Sequence, residues 1–122
     1  MSNKELVTTA LTQLFFKGDM SALEKYWAEN YIQHNPQIPN GRDELKKLFT
    51  SGGNMKYEMG LIIAEGDFVM VHARITGLGP KPLIGVDIFR IANGKLAEHW
   101  DVLQEEIPAD KTESGNAMFP IK

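Results

Sequence analysis

The segment "PLIGVDIFRIANGKLAEHWDVLQEEI", residues 82–107, decides the fold. It contains two runs rich in β-branched and aromatic residues, joined by the sequence "ANGK" at positions 92–95. Asn-Gly is the strongest short signal for a hairpin turn between two strands. The preceding segment "YEMGLIIAEGDFVMVHARITG", residues 57–77, has two further runs of this kind around the turn "EGD". Four antiparallel strands are therefore predicted from residue 56 onwards.

The N-terminal part of the chain shows helical periodicity instead. Apolar residues recur at intervals of three and four from Leu6 to Phe15, as expected for a helix with one buried face. Gly18 is predicted to end this helix, because glycine tolerates the left-handed conformation found after many helix ends.

A second helix is predicted to start at Ser21, which has with Glu24 the spacing of a capping box. It carries Tyr26 and Trp27 on one side and continues to the stretch "YIQHNP" at residues 31–36.

A third helix follows the loop that contains Pro36 and Pro39, with Asn40 as its expected N-cap. Its inward face holds Leu45, Leu48 and Phe49, and the sequence "SGGN" at residues 51–54 is expected to stop it.

Helices followed by antiparallel strands predict an α+β fold. We expect one domain over residues 1–122, with the polar tail 108–122 loosely held. If the helices pack on the concave face of a strongly curved antiparallel sheet, the domain forms a cone with one mouth, where ligand sites commonly lie.

The composition narrows the class of protein. The chain is 43% hydrophobic and 24% charged, as in soluble globular proteins, and its net charge of −3 gives no basic surface for nucleic acid or an anionic membrane. It has no cysteine for a disulfide or a thiolate metal site. Neither a signal peptide nor a membrane span is evident, so a cytoplasmic location is expected.

Two acidic residues of the last predicted hairpin are expected to share one face of the sheet. Alternation along "KLAEHWDVLQ" places Ala97, His99 and Asp101 on one face, and Leu96, Glu98 and Trp100 on the other. On the preceding strand, Asp87 shares its face with Phe89, opposite to Arg90. Symmetric pairing about the turn places Asp87 across from Trp100 or Asp101.

Two carboxyl groups on a half-buried face are costly unless they are paired, protonated or used in chemistry. Asp101 and Asp87 are therefore candidate acid/base groups, and His99 could orient Asp101 or exchange a proton with it. The structural alternative is that both acids accept hydrogen bonds from the backbone or from Arg74 or Arg90.

The stretch "YIQHNP" supplies two further candidates. Pro36 keeps Asn35 out of helical geometry and so sets the direction of the side chains of His34 and Asn35. At the mouth of the cone, these two side chains could donate hydrogen bonds to a carbonyl or enolate oxygen. The alternative is a local turn bond for Asn35 and a position on the rim for His34.

The other candidates have simpler explanations. His72 is expected to be a satisfied sheet histidine or part of a subunit interface, and the spacing of the three histidines does not favour a metal site. Trp27, Tyr31 and Phe49 have helical spacing that is typical of core residues, although some of them could line a pocket.

The stretches "YIQHNPQIPNGRDELKKLF" and "GKLAEHWDVLQ" resemble the SnoaL-like polyketide cyclases of the nuclear-transport-factor-2-like superfamily, and the resemblance extends over residues 3–107. It implies an α+β cone, a homodimer paired through the outer sheet face, and chemistry without a cofactor. An aspartate on a late strand of those cyclases acts as acid/base in an intramolecular aldol closure, and this role corresponds to Asp101. A histidine of the neighbouring strand corresponds to Asp87, which is a departure from the family pattern.

Two functions follow as hypotheses. In the first, the protein is a cofactor-free lyase or isomerase that acts on a small activated carbonyl compound, with Asp101 as the base. In the second, it is a non-catalytic module that binds a small apolar ligand. The related epoxide hydrolases also have a carboxylate pair, but their arginine would have to be Arg90, which alternation places on the opposite face. Ile84, Val86 and Ile88 on the outer face are expected to serve dimer formation.

Overall fold

The computed structural model describes residues 1–50 and 55–121. Its elements in chain order are α1 (Asn3–Leu11), a π-helical turn (Thr12–Phe16), α2 (Ser21–Tyr26), β1 (Trp27–Gln33), α3 (Arg42–Thr50), β2 (Lys56–Glu65), β3 (Phe68–Thr76), β4 (Leu83–Ala92), β5 (Lys95–Glu105) and a short 3₁₀ turn (Ala109–Lys111). The predicted stop of the third helix at residues 51–54 lies outside the described residues.

The five strands form one sheet in the order β1-β5-β4-β3-β2. Strands β2 to β5 are antiparallel neighbours, as the two hairpin signals predicted, whereas β1 lies parallel to β5. The helices contribute their apolar faces to a core that they share with one face of the sheet, from Val7 and Leu11 on the helices to Val71 and Phe89 on the strands. The predicted α+β cone is therefore confirmed.

The predicted end of the second helix is wrong. The helix stops at Tyr26, and Trp27 begins the edge strand β1. Trp27 and Tyr31 are both buried, since residues four apart in a strand share a face, whereas Glu29 between them is exposed where the pairing of β1 with β5 is irregular. This spacing of buried residues imitates the period of a helix.

Two predicted caps are also absent. The backbone and hydroxyl groups of Ser21 donate to the carboxylate of Asp19, and α2 has no side-chain cap. The capping box of this chain belongs to α1, between Ser2 and Glu5. Asn40 accepts a hydrogen bond of 2.8 Å from the backbone N–H of Gln33, so its side chain fixes the end of β1.

A β-bulge changes the predicted faces of β5. Ile91 pairs with Leu96 and Arg90 with Glu98, so that Ala97 is the extra residue. Leu96 therefore lies in the core, fully buried, and not on the outer face. Beyond the bulge the predicted alternation holds.

The C-terminal tail returns to the outer face of the sheet. Phe119 is buried there, with its ring 5.4 Å from that of His72 and the guanidinium of Arg74 4.9 Å from its centroid. The tail is thus held at this point. The ring atom Nδ1 of His72 has no hydrogen-bond partner among the described residues, so His72 is a packed sheet residue but not a satisfied one. In residues 1–50 and 55–121, no helix is long and apolar enough to cross a membrane.

Candidate active site

The hairpin of β4 and β5 brings the two predicted acids together. Asp87 and Asp101 are direct partners across the strands, and His99 pairs with Phe89 two residues along. Asp87 and His99 are buried, and the side chain of Asp101 is only 9% exposed. This face of the sheet looks into the interior of the cone, as the alternation predicted.

Asp87 lies at the centre of a hydrogen-bonded row. Its Oδ2 accepts a bond of 2.5 Å from the hydroxyl of Tyr57, and its Oδ1 lies 2.8 Å from Nε2 of His99. The other ring nitrogen of His99, Nδ1, lies 2.5 Å from Oε1 of Gln33. Side chains from β1, β2, β4 and β5 thus hold one another in place across the sheet.

The position of one proton in this row follows from the backbone. Oε1 of Gln33 also accepts the N–H of Asn35 at 3.1 Å, and because a backbone N–H can only donate, this atom must be the oxygen of the amide. Nδ1 of His99 therefore donates to it and carries a proton.

A second proton is then required between Nε2 of His99 and Oδ1 of Asp87, since two lone pairs would otherwise face each other at 2.8 Å. The His99–Asp87 pair, as imidazolium with carboxylate or as imidazole with carboxylic acid, is uncharged as a whole and stores a transferable proton.

Asn35 holds the second acid. Its side-chain oxygen accepts the N–H of Gln37 at 2.8 Å, so its Nδ2 must face Asp101, where it lies 3.0 Å from Oδ1 and 2.8 Å from Oδ2. Asn35 therefore holds both oxygens of Asp101 beside the proton-bearing pair, with Oδ2 of Asp101 4.0 Å from Nε2 of His99.

These polar groups lie in a cavity of about 90 Å³ whose other walls are apolar. The lining residues are Leu11, Phe15, Trp27, Tyr31, Gln33, Asn35, Ile38, Leu45, Leu48, Phe49, Met55, Tyr57, Ile75, Leu78, Asp87, Phe89, His99, Asp101 and Leu103. All the predicted site residues except His34 are among them. A ligand in this cavity would meet acid/base groups along one wall and hydrocarbon on the others.

The prediction for His34 must be corrected. Its ring stacks on Trp100 on the outer face of the sheet, with centroids 4.6 Å apart, and its Nε2 lies 2.6 Å from Oε2 of Glu98. The backbone N–H of His34 bonds to the carbonyl oxygen of His99, so the chain is still extended there and consecutive side chains point to opposite faces. Asn35 therefore points inward and His34 outward. Arg90 also lies on the outer face, bonded to Glu98 at 2.8 Å, as predicted.

Gln33 and Tyr57 are site residues that the sequence analysis missed. Both are polar groups at inward positions of strands, and period-two alternation would have indicated Gln33 had β1 been recognised as a strand. Burial raises the pKa of Tyr57 well above its usual value, with a further contribution from Asp87. Burial likewise raises the pKa of Tyr31, so both phenols stay protonated and Tyr57 remains a donor.

One atom from each of Asp87, His99 and Asp101 lies within 4.8 Å of the others, a spacing that could hold a metal ion. In the structure these groups bond to one another and to protein donors. An ion would have to displace the proton between His99 and Asp87.

The fold and site together define a small α+β cone with an acid/base cluster inside an apolar cavity. A family model described as a SnoaL-like domain matches residues 8–99, and the chain belongs to this family. No protein with a curated description matches the sequence.

Solved structures share the fold at low sequence identity. An NTF2-like protein of unknown function from Cytophaga hutchinsonii has a TM-score of 0.75 at 17% identity, over 85% of this chain and 91% of that one. A candidate ketosteroid isomerase from Kribbella flavida has a TM-score of 0.74 at 19% identity, over 86% and 79%. A candidate polyketide cyclase from Acidithiobacillus ferrooxidans has a TM-score of 0.69 at 20% identity, over 84% and 91%. Identities this low establish a common fold and not a common reaction.

Proposed function

We propose that the protein is a cofactor-independent acid/base enzyme that removes a proton from the carbon next to a carbonyl group, in an isomerisation or an aldol-type ring closure. The observation that carries the proposal is the close approach of a carboxylate, Asp101, to the proton-bearing pair of His99 and Asp87 inside an apolar cavity. The names of two structural neighbours, an isomerase and a cyclase, agree with this class of chemistry.

The reaction needs one group to take a proton and another to neutralise the resulting oxygen. Asp101 accepts the C–H proton, and the electrons of that bond form the enolate double bond while the carbonyl oxygen becomes negative. That oxygen lies against the His99–Asp87 pair, which donates its stored proton or a hydrogen bond. The 4.0 Å between the two groups suits this geometry, because only one carbon separates an acidic C–H carbon from its carbonyl oxygen.

The enolate then has two outcomes. If it regains a proton from Asp101 at another carbon, the substrate has been isomerised. If its carbon attacks a second carbonyl group, a ring closes: the π bond of that carbonyl breaks, its oxygen takes the proton held by Asp101, and the base is regenerated. The apolar walls exclude water, which strengthens the hydrogen bonds to the developing charge. Asn35, bonded to both oxygens of Asp101, orients the base; its expected role in binding the enolate is not needed.

The test is deuterium exchange. A methyl-substituted β-keto ester in deuterium oxide has one activated C–H whose proton NMR signal disappears on exchange. We expect Asp101→Asn to lower the enzyme-dependent rate by roughly 100-fold or more, the range of general-base contributions, while the fold is kept. Glu98→Gln is the matched control, because it neutralises a carboxylate on the opposite face of the same strand. Full exchange in a folded Asp101→Asn variant would refute the role of Asp101.

The second candidate is a non-catalytic module for a small apolar ligand, favoured by the apolar majority of the cavity wall. It predicts that a ketone binds in the cavity, as monitored by the fluorescence of Trp27, with no enzyme-dependent exchange at its C–H groups.

We further propose that two copies of the chain pair through the outer sheet face. Phe68, Met70 and Val102 are exposed there at 43%, 42% and 71%, beside Trp100. Ile84 is buried within the chain, so the apolar surface differs in part from the expected one. Sedimentation at micromolar concentration should give a dimer that Val102→Lys dissociates. A monomeric wild-type protein would refute the proposal.

A further inference from the structure

The cavity has acidic side chains in its lining, and its described lining residues include no Lys or Arg to neutralise them. Its ionisable members are Asp87, Asp101 and His99, together with phenols that stay neutral, and none of the lining residues is Lys or Arg.

The hydrogen bonds assign that charge to one group. The His99–Asp87 pair holds a shared proton and is uncharged as a whole, as the donor role of Nδ1 towards Gln33 requires. Asp101 is bonded to the amide of Asn35, which is neutral, and its nearest cationic group is the already paired His99 at 4.0 Å. The cavity thus carries one net negative charge on Asp101.

The aromatic walls of the cavity also favour a cationic ligand over an anionic one. Six aromatic rings line the cavity, and the ring of Phe15 stacks on Tyr57 at 4.7 Å and meets Phe49 edge-on at 5.1 Å. Aromatic faces carry negative charge density and attract cations, most strongly where water is excluded. A buried carboxylate raises the free energy of a second anion in the same cavity, because little water screens the two charges.

We infer from this juxtaposition, the carboxyl group of Asp101 in an aromatic cavity whose described lining has no Lys or Arg, that the ligand of this site is an apolar molecule with a protonated amine or an uncharged polar head, and that carboxylates and phosphates are rejected. The order of affinity is cation, then neutral molecule, then anion. The inference rests on the proposed function, since it names the substrate class of the same site: amino ketones bind better than ketones, and keto acids do not bind.

The experiment uses three probes of one shape: benzylacetone, the amine in which its ketone is replaced by a protonated amino group, and hydrocinnamate. Isothermal titration calorimetry of the full chain at neutral pH should give affinities in that order of charge, with the amine at least tenfold tighter than hydrocinnamate. In Asp101→Asn, which keeps the size of the side chain, the difference should fall below about threefold, a free-energy difference of about 0.65 kcal/mol.

The control variant is again Glu98→Gln. It removes the same unit of charge from the outer face, so it should leave the order and spacing of the three affinities as in the wild-type protein. Hydrocinnamate binding as tightly as the amine, benzylacetone binding more tightly than the amine, or no binding of the amine would overturn the inference. So would a charge order that survives in Asp101→Asn.

The result is separable from that of the exchange test. The expected order of affinities without deuterium exchange would leave the ligand class standing and refute the acid/base enzyme. Deuterium exchange that depends on Asp101, together with affinities that do not follow the charge of the probe, would support the acid/base enzyme and refute the ligand class.

Discussion

Replacing Gln33 by Leu tests the proton arrangement on which the site depends. The substitution removes the oxygen that accepts N–H groups from His99 and from Asn35. A buried donor left without an acceptor costs about 1–3 kcal/mol. The substitution leaves the Nδ1–H of the buried His99 and the part-buried N–H of Asn35 without this acceptor, and we expect a loss of about 2 kcal/mol in total.

This loss should be visible in the melting temperature. Unfolding entropy is about 2.1 cal/mol/K per residue. For a chain of 122 residues this gives roughly 0.26 kcal/mol/K, so the melting temperature should fall by about 8 °C. The matched control is Gln33→Glu, whose carboxylate keeps an acceptor for both donors and should retain most of the wild-type stability.

If Gln33 only contributed to packing, its replacement would not change which ring nitrogen of His99 carries a proton. The second measurement is therefore the nitrogen NMR spectrum of His99. The wild-type protein and Gln33→Glu should show a protonated Nδ1, whereas Gln33→Leu should lose this preference. A wild-type spectrum with a bare Nδ1, or a Gln33→Leu variant with unchanged melting temperature and spectrum, would refute the reasoning.

Two further predictions concern the strands around the site. An alanine Cβ at position 85 would lie 2.5 Å from Cδ2 of Leu103, which lines the cavity, and 3.0 Å from the backbone oxygen of Val102, which cannot rotate away. Gly85→Ala should therefore cost about 1–3 kcal/mol in urea unfolding. Gly79→Ala, with nothing within 4 Å, should avoid this clash, and equal effects of the two substitutions would contradict the packing argument. Hydrogen bonds from His34, and then from Arg90, lower the pKa of Glu98 below 4.5, so this carboxylate stabilises the fold above that pH and the contribution is lost as the pH falls through the lowered value. The stability of the wild-type protein relative to Glu98→Gln should therefore decrease on acidification below pH 4.5, and a pH-independent difference would count against the assignment.

The hairpins were predictable because their signals are local. Asn93 has a φ of 53° and Gly94 of 73°, the left-handed conformations for which Asn-Gly is selected. Once that turn is placed, symmetric pairing puts Asp87 across from Trp100 or Asp101, and the one-residue shift at the bulge makes Asp101 the direct partner. Turn chemistry and alternation therefore predicted that the two acids lie near each other, but not that they are direct partners.

The bulge at Ala97 was not predictable in this way. It adds one residue to β5, and no glycine or proline in the sequence marks its position. Because of the bulge, the side chain of Leu96 points into the core. The observed partner of Asp87 was nevertheless among the predicted ones, because the prediction allowed either Trp100 or Asp101.

The missed Gln33 and the misplaced His34 have one cause, which is the extension of the second predicted helix into the residues of β1. Within a strand, neighbours alternate between faces, so β1 and its extension would have placed Gln33 and Asn35 inward and His34 outward. Read as the end of a helix, the same residues allowed His34 and Asn35 to be placed side by side at the mouth. Buried aromatic residues four positions apart are compatible with a helix and with a strand, and only the pairing with β5 distinguishes the two structures.

The strand β1 has no local signal in the sequence. It pairs with β5 in parallel, so no hairpin turn connects the two strands, and their contact joins distant segments of the chain. The chemistry of the site therefore depends on a contact between distant segments: β1 supplies the amide oxygen that orients His99 and leads directly into the turn whose Asn35 holds Asp101.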